Sequence, residues 1–155
     1  MVDTEMQSTS TLVVDATLAP FQIFERVIQV RPEDIFGVHV NIASFFAYIS
    51  STFNRWYAEI GVADSEGDGS GPHMAHLSYD FLQEMHYPGA VLCRLTVVRV
   101  GTSSLEHSIE VRDANHPERL CGRGKSIHVW VDAKAKKATA WPADVLAKIW
   151  VPRPA

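Results

Sequence analysis

Between Ile42 and Ile60 the apolar side chains fall at Ile42, Phe45, Phe46, Ile49, Phe53, Trp56, Tyr57 and Ile60. Steps of three and four residues with occasional neighbours describe one helix with a wide apolar face. Asn41 precedes it with a side chain able to accept from the free amides of a first turn, and Gly61 follows as a stop. A helix with six aromatic residues between Phe45 and Tyr57 is too apolar for a surface position and must be wrapped. What remains of the chain to do the wrapping reads as strand.

Phe21 to Arg31 is rich in aromatic and β-branched residues and predicts a strand ending at Pro32, with 32–40 as a connecting loop. After a polar loop, VADSEGDGSGP, the runs His73–Leu82, Ala90–Val100, Ser103–Arg112 and Leu120–Val131 predict an antiparallel meander. The clearest alternation sets Leu105, His107, Ile109 and Val111 on one face, with Glu106, Ser108, Glu110 and Arg112 on the other. WPADVLAKIW predicts a short closing helix with Pro142 near its first turn. The expected architecture is α+β, one long central helix in the concavity of a curved antiparallel sheet. Residues 1–20 are expected to form a flexible arm, 21–150 a single domain and 151–155 a tail.

At 155 residues with 46% hydrophobic and 21% charged, the chain can bury a core without disulfide staples. No run is long enough for a membrane span, and the acidic N-terminus lacks the basic start of a secretory signal. Cys93 and Cys121 match neither a metal spacing nor a disulfide framework, and none of the histidines has ligand spacing to nearby Cys or carboxylates. A reduced, cytoplasmic setting, no metal and no cofactor are expected. The net charge of −4 argues against nucleic acid, yet residues 1–90 carry −9 and residues 91–155 carry +5. The cationic half reads either as solvated strand edges or as a surface that holds a phosphorylated small ligand.

The text Asp34-Ile35-Phe36-Gly37-Val38-His39-Val40-Asn41, followed by Phe45, Tyr48 and a helix ending at Gly61, resembles the hotdog-fold acyl-CoA thioesterases. The resemblance is to the branch related to 4-hydroxybenzoyl-CoA thioesterase, whose members carry an Asp-x-x-Gly loop and a His-Val-Asn triplet entering the helix. Leu77–Phe81, Tyr87-Pro88-Gly89 and Arg99–Ser104 resemble the family's second strand, the turn into its third, and its Gly-x-Ser-Ser turn. It covers about residues 21–150 and departs at one place. Counted back from Asn41, the family's aspartate falls on Ile35, with Asp34 one residue early; either the loop shifts by one residue or the carboxylate has moved, with Glu33 the obvious substitute.

What the resemblance implies is hydrolysis of an acyl-CoA, or of an acyl-carrier-protein thioester, with CoA present only as part of the substrate. Asp34 is the expected base or nucleophile, although by position alone it is a turn carboxylate. Asn41 is a helix cap, and backbone amides around Val40–Ala43 are expected to stabilise a developing oxyanion. His39 is a catalytic candidate whose default is a hydrogen-bonded structural role. Tyr48, Arg99, Thr102, Ser103, Ser104 and Lys134 are candidates for substrate or CoA contact, with Lys136 and Lys137 as further cations. Phe45, Phe53 and Trp56 are expected to pack in the core or a dimer interface. A homodimer or homotetramer with its site between subunits is expected. The rival readings are a non-catalytic acyl- or aromatic-binding or assembly module, and a hotdog dehydratase.

Overall fold

A computed structural model describes residues 18–62 and 68–150. The expected tail, all but the end of the expected arm, and the middle of the 62–72 loop lie outside the described residues. The chain runs β1 (Ile23–Gln29), a 3-10 turn (Pro32–Asp34), β2 (Ile35–Phe36), β3 (His39–Val40) and α1 (Ile42–Glu59). There follow β4 (Gly71–Phe81), β5 (Ala90–Val100), β6 (Ser104–Asp113), β7 (Leu120–Asp132), β8 (Lys137–Thr139) and α2 (Ala143–Ile149). This is the expected α+β arrangement, a long helix against one antiparallel sheet. Among the described residues no helix is long and apolar enough to cross a membrane.

The helix forms where its pattern predicts. Asn41 Oδ1 accepts from the Ser44 amide at 2.8 Å, and Gly61 takes φ +78° after the last turn. Phe45, Tyr48, Ile49, Thr52, Phe53 and Trp56 are buried along one stripe. They meet Val91, Cys93, Leu95 and Val97 of β5 and Leu105, Ile109 and Val111 of β6, which alternate inward. Each large apolar side chain so buried contributes roughly 1.5–3 kcal/mol, which favours the wrapped helix over any exposed alternative.

Strand order differs from a simple meander. The sheet runs β1-β5-β6-β7-β4, with β8 paired to the end of β7, so along the main path only β5 to β7 are consecutive neighbours, and β4 forms an edge. The 82–89 connection carries the chain from that edge to the far side of β6. It is tied on the way by Leu82 and Gln83 amides to the Cys121 carbonyl, and by Arg119 Nε to Gln83 Oε1 at 3.0 Å. Residues 32–40, expected to be a plain loop, contain the turn and a two-stranded hairpin. Strands of two residues are too short to show a period, and the Gly37-Val38 corner needs the positive φ of +67° that glycine supplies. β8 is missed for the same reason: it is three exposed residues long.

The outer face explains much of the charge asymmetry. Glu25, Arg94, Glu110, Arg123 and Asp80 lie in one row across five strands, alternating in sign. Arg94 Nη2 meets Glu25 Oε1 at 2.6 Å, and Arg112 and Arg119 pair with Glu110 and Asp113. These cations are answered by neighbouring carboxylates. Arg99, Lys134, Lys136 and Lys137 remain exposed.

Two glycines let β4 close on β7. A methyl group on Gly124 would run into the Ser78 backbone carbonyl, and one on Gly122 into the Tyr79 ring. Gly122→Ala is expected to cost roughly 1–3 kcal/mol through overpacking. Gly124→Ala should cost more, because a backbone carbonyl cannot rotate aside. Thermal melts of both variants check the order; equal melting temperatures would show that β4 shifts freely.

Candidate active site

Arg31, Asp34, Asn41, Ser44 and Tyr48 converge where the 3-10 turn meets the start of α1. The Asp34 carbonyl accepts from the Asn41 amide at 2.9 Å and from Asn41 Nδ2 at 2.8 Å. Its carboxylate is buried and accepts from five donors. Oδ2 receives the Tyr48 hydroxyl at 2.6 Å, the Arg31 amide at 2.9 Å and Arg31 Nε at 3.5 Å; Oδ1 receives Arg31 Nη2 at 3.0 Å and Ser44 Oγ at 3.2 Å. The β2–β3 hairpin folds Asp34 back onto the start of α1. Glu33 points outward, 64% exposed, with Arg31 Nη1 at 3.7 Å.

Burial by itself would raise the Asp34 pKa. The hydrogen bonds from Arg31, Tyr48, the Arg31 amide and Ser44 outweigh it and hold the group down at about 2. Burial, then the adjacent carboxylate, push the Tyr48 hydroxyl up. The resulting site is a permanently ionised carboxylate locked to a neutral phenol. Tyr48, expected among the substrate contacts, is 4% exposed and turned inward onto Asp34.

The same geometry narrows the oxyanion candidates. Val40 N–H donates to Met85 O, Asn41 N–H to Asp34 O, and Ser44 N–H to Asn41 Oδ1. Of the amides from Val40 to Ser44, those of Ile42 and Ala43 have no acceptor among the described residues, as first-turn amides do. His39 sits on β3 with Nδ1 3.7 Å from Glu84 Oε1, while Glu84 Oε2 lies 3.7 Å from His86 Nε2. These distances exceed hydrogen-bonding range and become ion pairs only when the imidazoles are protonated.

Thr102, Ser103, Ser104 and Lys134 are not brought to Asp34 within one protomer. Gly89 and Ala90 at the start of β5 lie beside Val30 and Gln29, near Asp34, whereas the 101–104 turn closes the other end of that strand. Eleven residues of strand separate the two, roughly 35 Å. Ser103 O accepts from Trp130 N and Trp141 Nε1, which ties this turn to β7 and the segment leading into α2. Sequence reasoning missed Arg31, Ser44 and Glu84. Ser44 and Tyr48 are one helical turn apart on one face, a spacing that could have identified them as partners of a preceding carboxylate.

Among the described residues no group of three or more His, Cys, Asp or Glu side chains could hold a metal ion. Cys93 and Cys121 are both free and buried, and burial raises both thiols to about 11.

The profile of the Thioesterase-like superfamily matches residues 30–149, and the chain belongs to that superfamily. No curated protein matches it in sequence. Among solved structures, a candidate thioesterase from Pseudomonas aeruginosa is 28% identical with a TM-score of 0.75, over 81% of this chain and 97% of that one. A 1,4-dihydroxy-2-naphthoyl-CoA thioesterase from Synechocystis is 21% identical with a TM-score of 0.74, over 82% and 95%. A mutant 4-hydroxybenzoyl-CoA thioesterase complexed with 4-hydroxybenzoyl-CoA is 13% identical with a TM-score of 0.74, over 83% and 99%. The last two likenesses establish the hotdog fold alone.

The Asp34 clamp makes a stability prediction. A carboxylate whose pKa falls on folding stabilises the fold above its unfolded value of 3.8, and that contribution is lost as pH falls through about 2. Asp34→Asn should therefore lower stability by about 2 kcal/mol at pH 7, with the gap to the parent protein narrowing below pH 4. Urea unfolding at pH 7 and at low pH measures it. A gap independent of pH would mean that the carboxylate's charge adds nothing.

Proposed function

We propose that this member of the superfamily is a hydrolase that cleaves an acyl-CoA thioester to a free acid and CoA thiol. The observation that carries the reading is the ionised Asp34 fixed against a helix start whose Ile42 and Ala43 amides have no acceptor among the described residues. A thioester carbonyl on those amides would gain two donors aimed at the oxygen that becomes negative during addition. Asp34, with a pKa of about 2, is a weak proton acceptor at neutral pH. Its proposed part is attack through a carboxylate oxygen: the C–S bond breaks, the thiolate leaves, and water then hydrolyses the acyl-aspartyl anhydride. Reaching the carbonyl requires Arg31, 63% exposed at its side chain, to swing away from the carboxylate. Asn41 holds the helix start in place as cap and as donor to Asp34, and His39 is a positioning residue of the hairpin.

A second copy completes the proposed site. β4 is an eleven-residue edge whose one carboxylate is Asp80, and Met74, Phe81, Phe46 and Ile42 are exposed beside it. Antiparallel pairing of two β4 edges would set the α1 start of one protomer against the β4 start of the other. The partner's 101–104 turn and Lys134, which share that end of the sheet, would then approach Asp34, with Arg99 nearby as a cation for CoA phosphates. Light scattering should give a mass at least twice 17.2 kDa; a monomer in dilute solution removes the shared site. A cytoplasmic setting follows from the proposed acyl-CoA substrate.

The sealed carboxylate also favours a second reading, a non-catalytic acyl-binding module in which Asp34 is purely structural. Thiol release from an acyl-CoA panel separates the two. If the enzymatic reading holds, Asp34→Asn should lower kcat roughly 10²–10⁴-fold with little change in KM. Glu33→Gln, which alters charge in the same turn, should leave kcat near the parent value. Hydrolysis that survives Asp34→Asn and fails in Glu33→Gln would reverse the two roles; no thiol release from any substrate would leave the binding module.

A further inference from the structure

Two imidazoles, far from Asp34, form the floor on which the later half of α1 rests. His107 on β6 is fully buried with neither ring nitrogen bonded, and His128 on β7 is 4% exposed with its Nδ1 sealed and unpartnered. Their ring centroids lie 5.9 Å apart. Three rings of α1 close over them. Phe53 is 5.0 Å from His107 and 4.7 Å from His128, Trp56 is 4.6 Å from His107, and Tyr57 is 5.5 Å from His128.

No anion faces either ring. Across the sheet His107 is paired with Val97 of β5 and Ser126 of β7, and His128 with Leu105 of β6 and Met74 of β4. From α1 the titratable group that meets them is the Tyr57 hydroxyl, which burial pushes up and keeps neutral. Arg55 and Glu59 of the same helix are paired with each other at 2.8 Å on its exposed side. His128 shares a cavity wall with His73 of β4, another imidazole. The histidines that do stand within 3.7 Å of a carboxylate among the described residues are His39, His86 and His116.

Protonating either ring in place would therefore strand an unpaired charge out of water, and a charge on one ring opposes a charge on the other. Burial holds His128 down at about 4 and His107, with His128 adding to the effect, at about 3. Once exposed, both rings would take up protons near the ordinary value of 6.5. Below that pH an opened form binds up to two more protons than the closed one, and the closed form loses ground as pH falls. Asp34, at about 2, stays ionised and clamped over the same range. We propose that the His107–His128 pair is an acid-responsive catch: two protons taken up together release the later half of α1 from the sheet, while the Asp34 clamp holds the helix start in place. The catch does not depend on the thioesterase reading.

Native-state hydrogen exchange on the full chain, corrected for the intrinsic chemical rate and followed from neutral pH into mild acid, reads the catch directly. Below pH ~6 the opening constant for the amides of residues 53–59 should rise more than about 10-fold per pH unit, approaching the roughly 100-fold of a two-proton step. The amides of residues 45–49, beside the Asp34 clamp, should change far less. His107→Leu and His128→Leu should each reduce the rise to about 10-fold per pH unit, the mark of one proton, and the double variant should flatten it. His128→Gln, which keeps a polar group at the cavity wall without a titrating ring, serves if the leucine variants do not fold, and the parent profile decides by itself if no variant does. A flat profile over residues 53–59, an equal rise at both ends of the helix, or a rise that survives substitution of the histidines overturns the proposal.

Discussion

The contact between Asp34 and α1 sets where everything near the site can sit. Its carboxylate joins the turn before the hairpin, through Arg31, to the first two turns of the helix, through Ser44 and Tyr48. Its carbonyl takes both donors of Asn41, whose own side-chain oxygen caps Ser44. Each link is modest alone, but a buried anion without them would be strongly disfavoured, so turn, hairpin and helix start must form together. The two free amides acquire a fixed direction because the residues on either side of them are spent.

Polar groups are handled in opposite ways at the two ends of α1. At its start the buried charge is satisfied by five donors and its pKa falls. Toward its end the imidazoles are desolvated with no compensating bond, and their pKa values fall because the charged form is lost. The first arrangement holds charge in place, and the second keeps both imidazoles neutral at pH 7.

The two edges of the sheet differ in character. Its β1 edge carries Glu25 and Arg26, both tied within the protomer to Arg94 and the Ser51 carbonyl, whereas the β4 edge is long and nearly uncharged. The face turned away from the helix carries a row of alternating charges, in which Arg94 bridges Glu25 and Glu110 of the neighbouring strands. Among the exposed apolar side chains, Met74, Phe81, Phe46 and Ile42 lie beside β4, and Phe36 and Val38 lie on the hairpin.

The helix, its cap and stop, and the four long strands after it were legible in the sequence because 3.6- and 2-residue periods persist over ten or more residues there. Asp34 was legible as a candidate, as was Asn41 as a cap. The position of β4 at the edge, rather than beside β5, was not, because pairing depends on which crossing the 82–89 connection can make. The Arg31–Asp34–Ser44–Tyr48 cluster was legible only as a spacing. Whether Tyr48 faced a substrate or a carboxylate was decided by how the hairpin folds back. The His107–His128 pair, 21 positions apart and separated by a turn, came together only when β6 and β7 paired in a register that set both rings against Phe53. Local pattern determines which elements form, because their hydrogen bonds and apolar faces are near in sequence. Burial, charge pairing and cavities belong to the tertiary structure, because they depend on which distant groups share the same few ångströms.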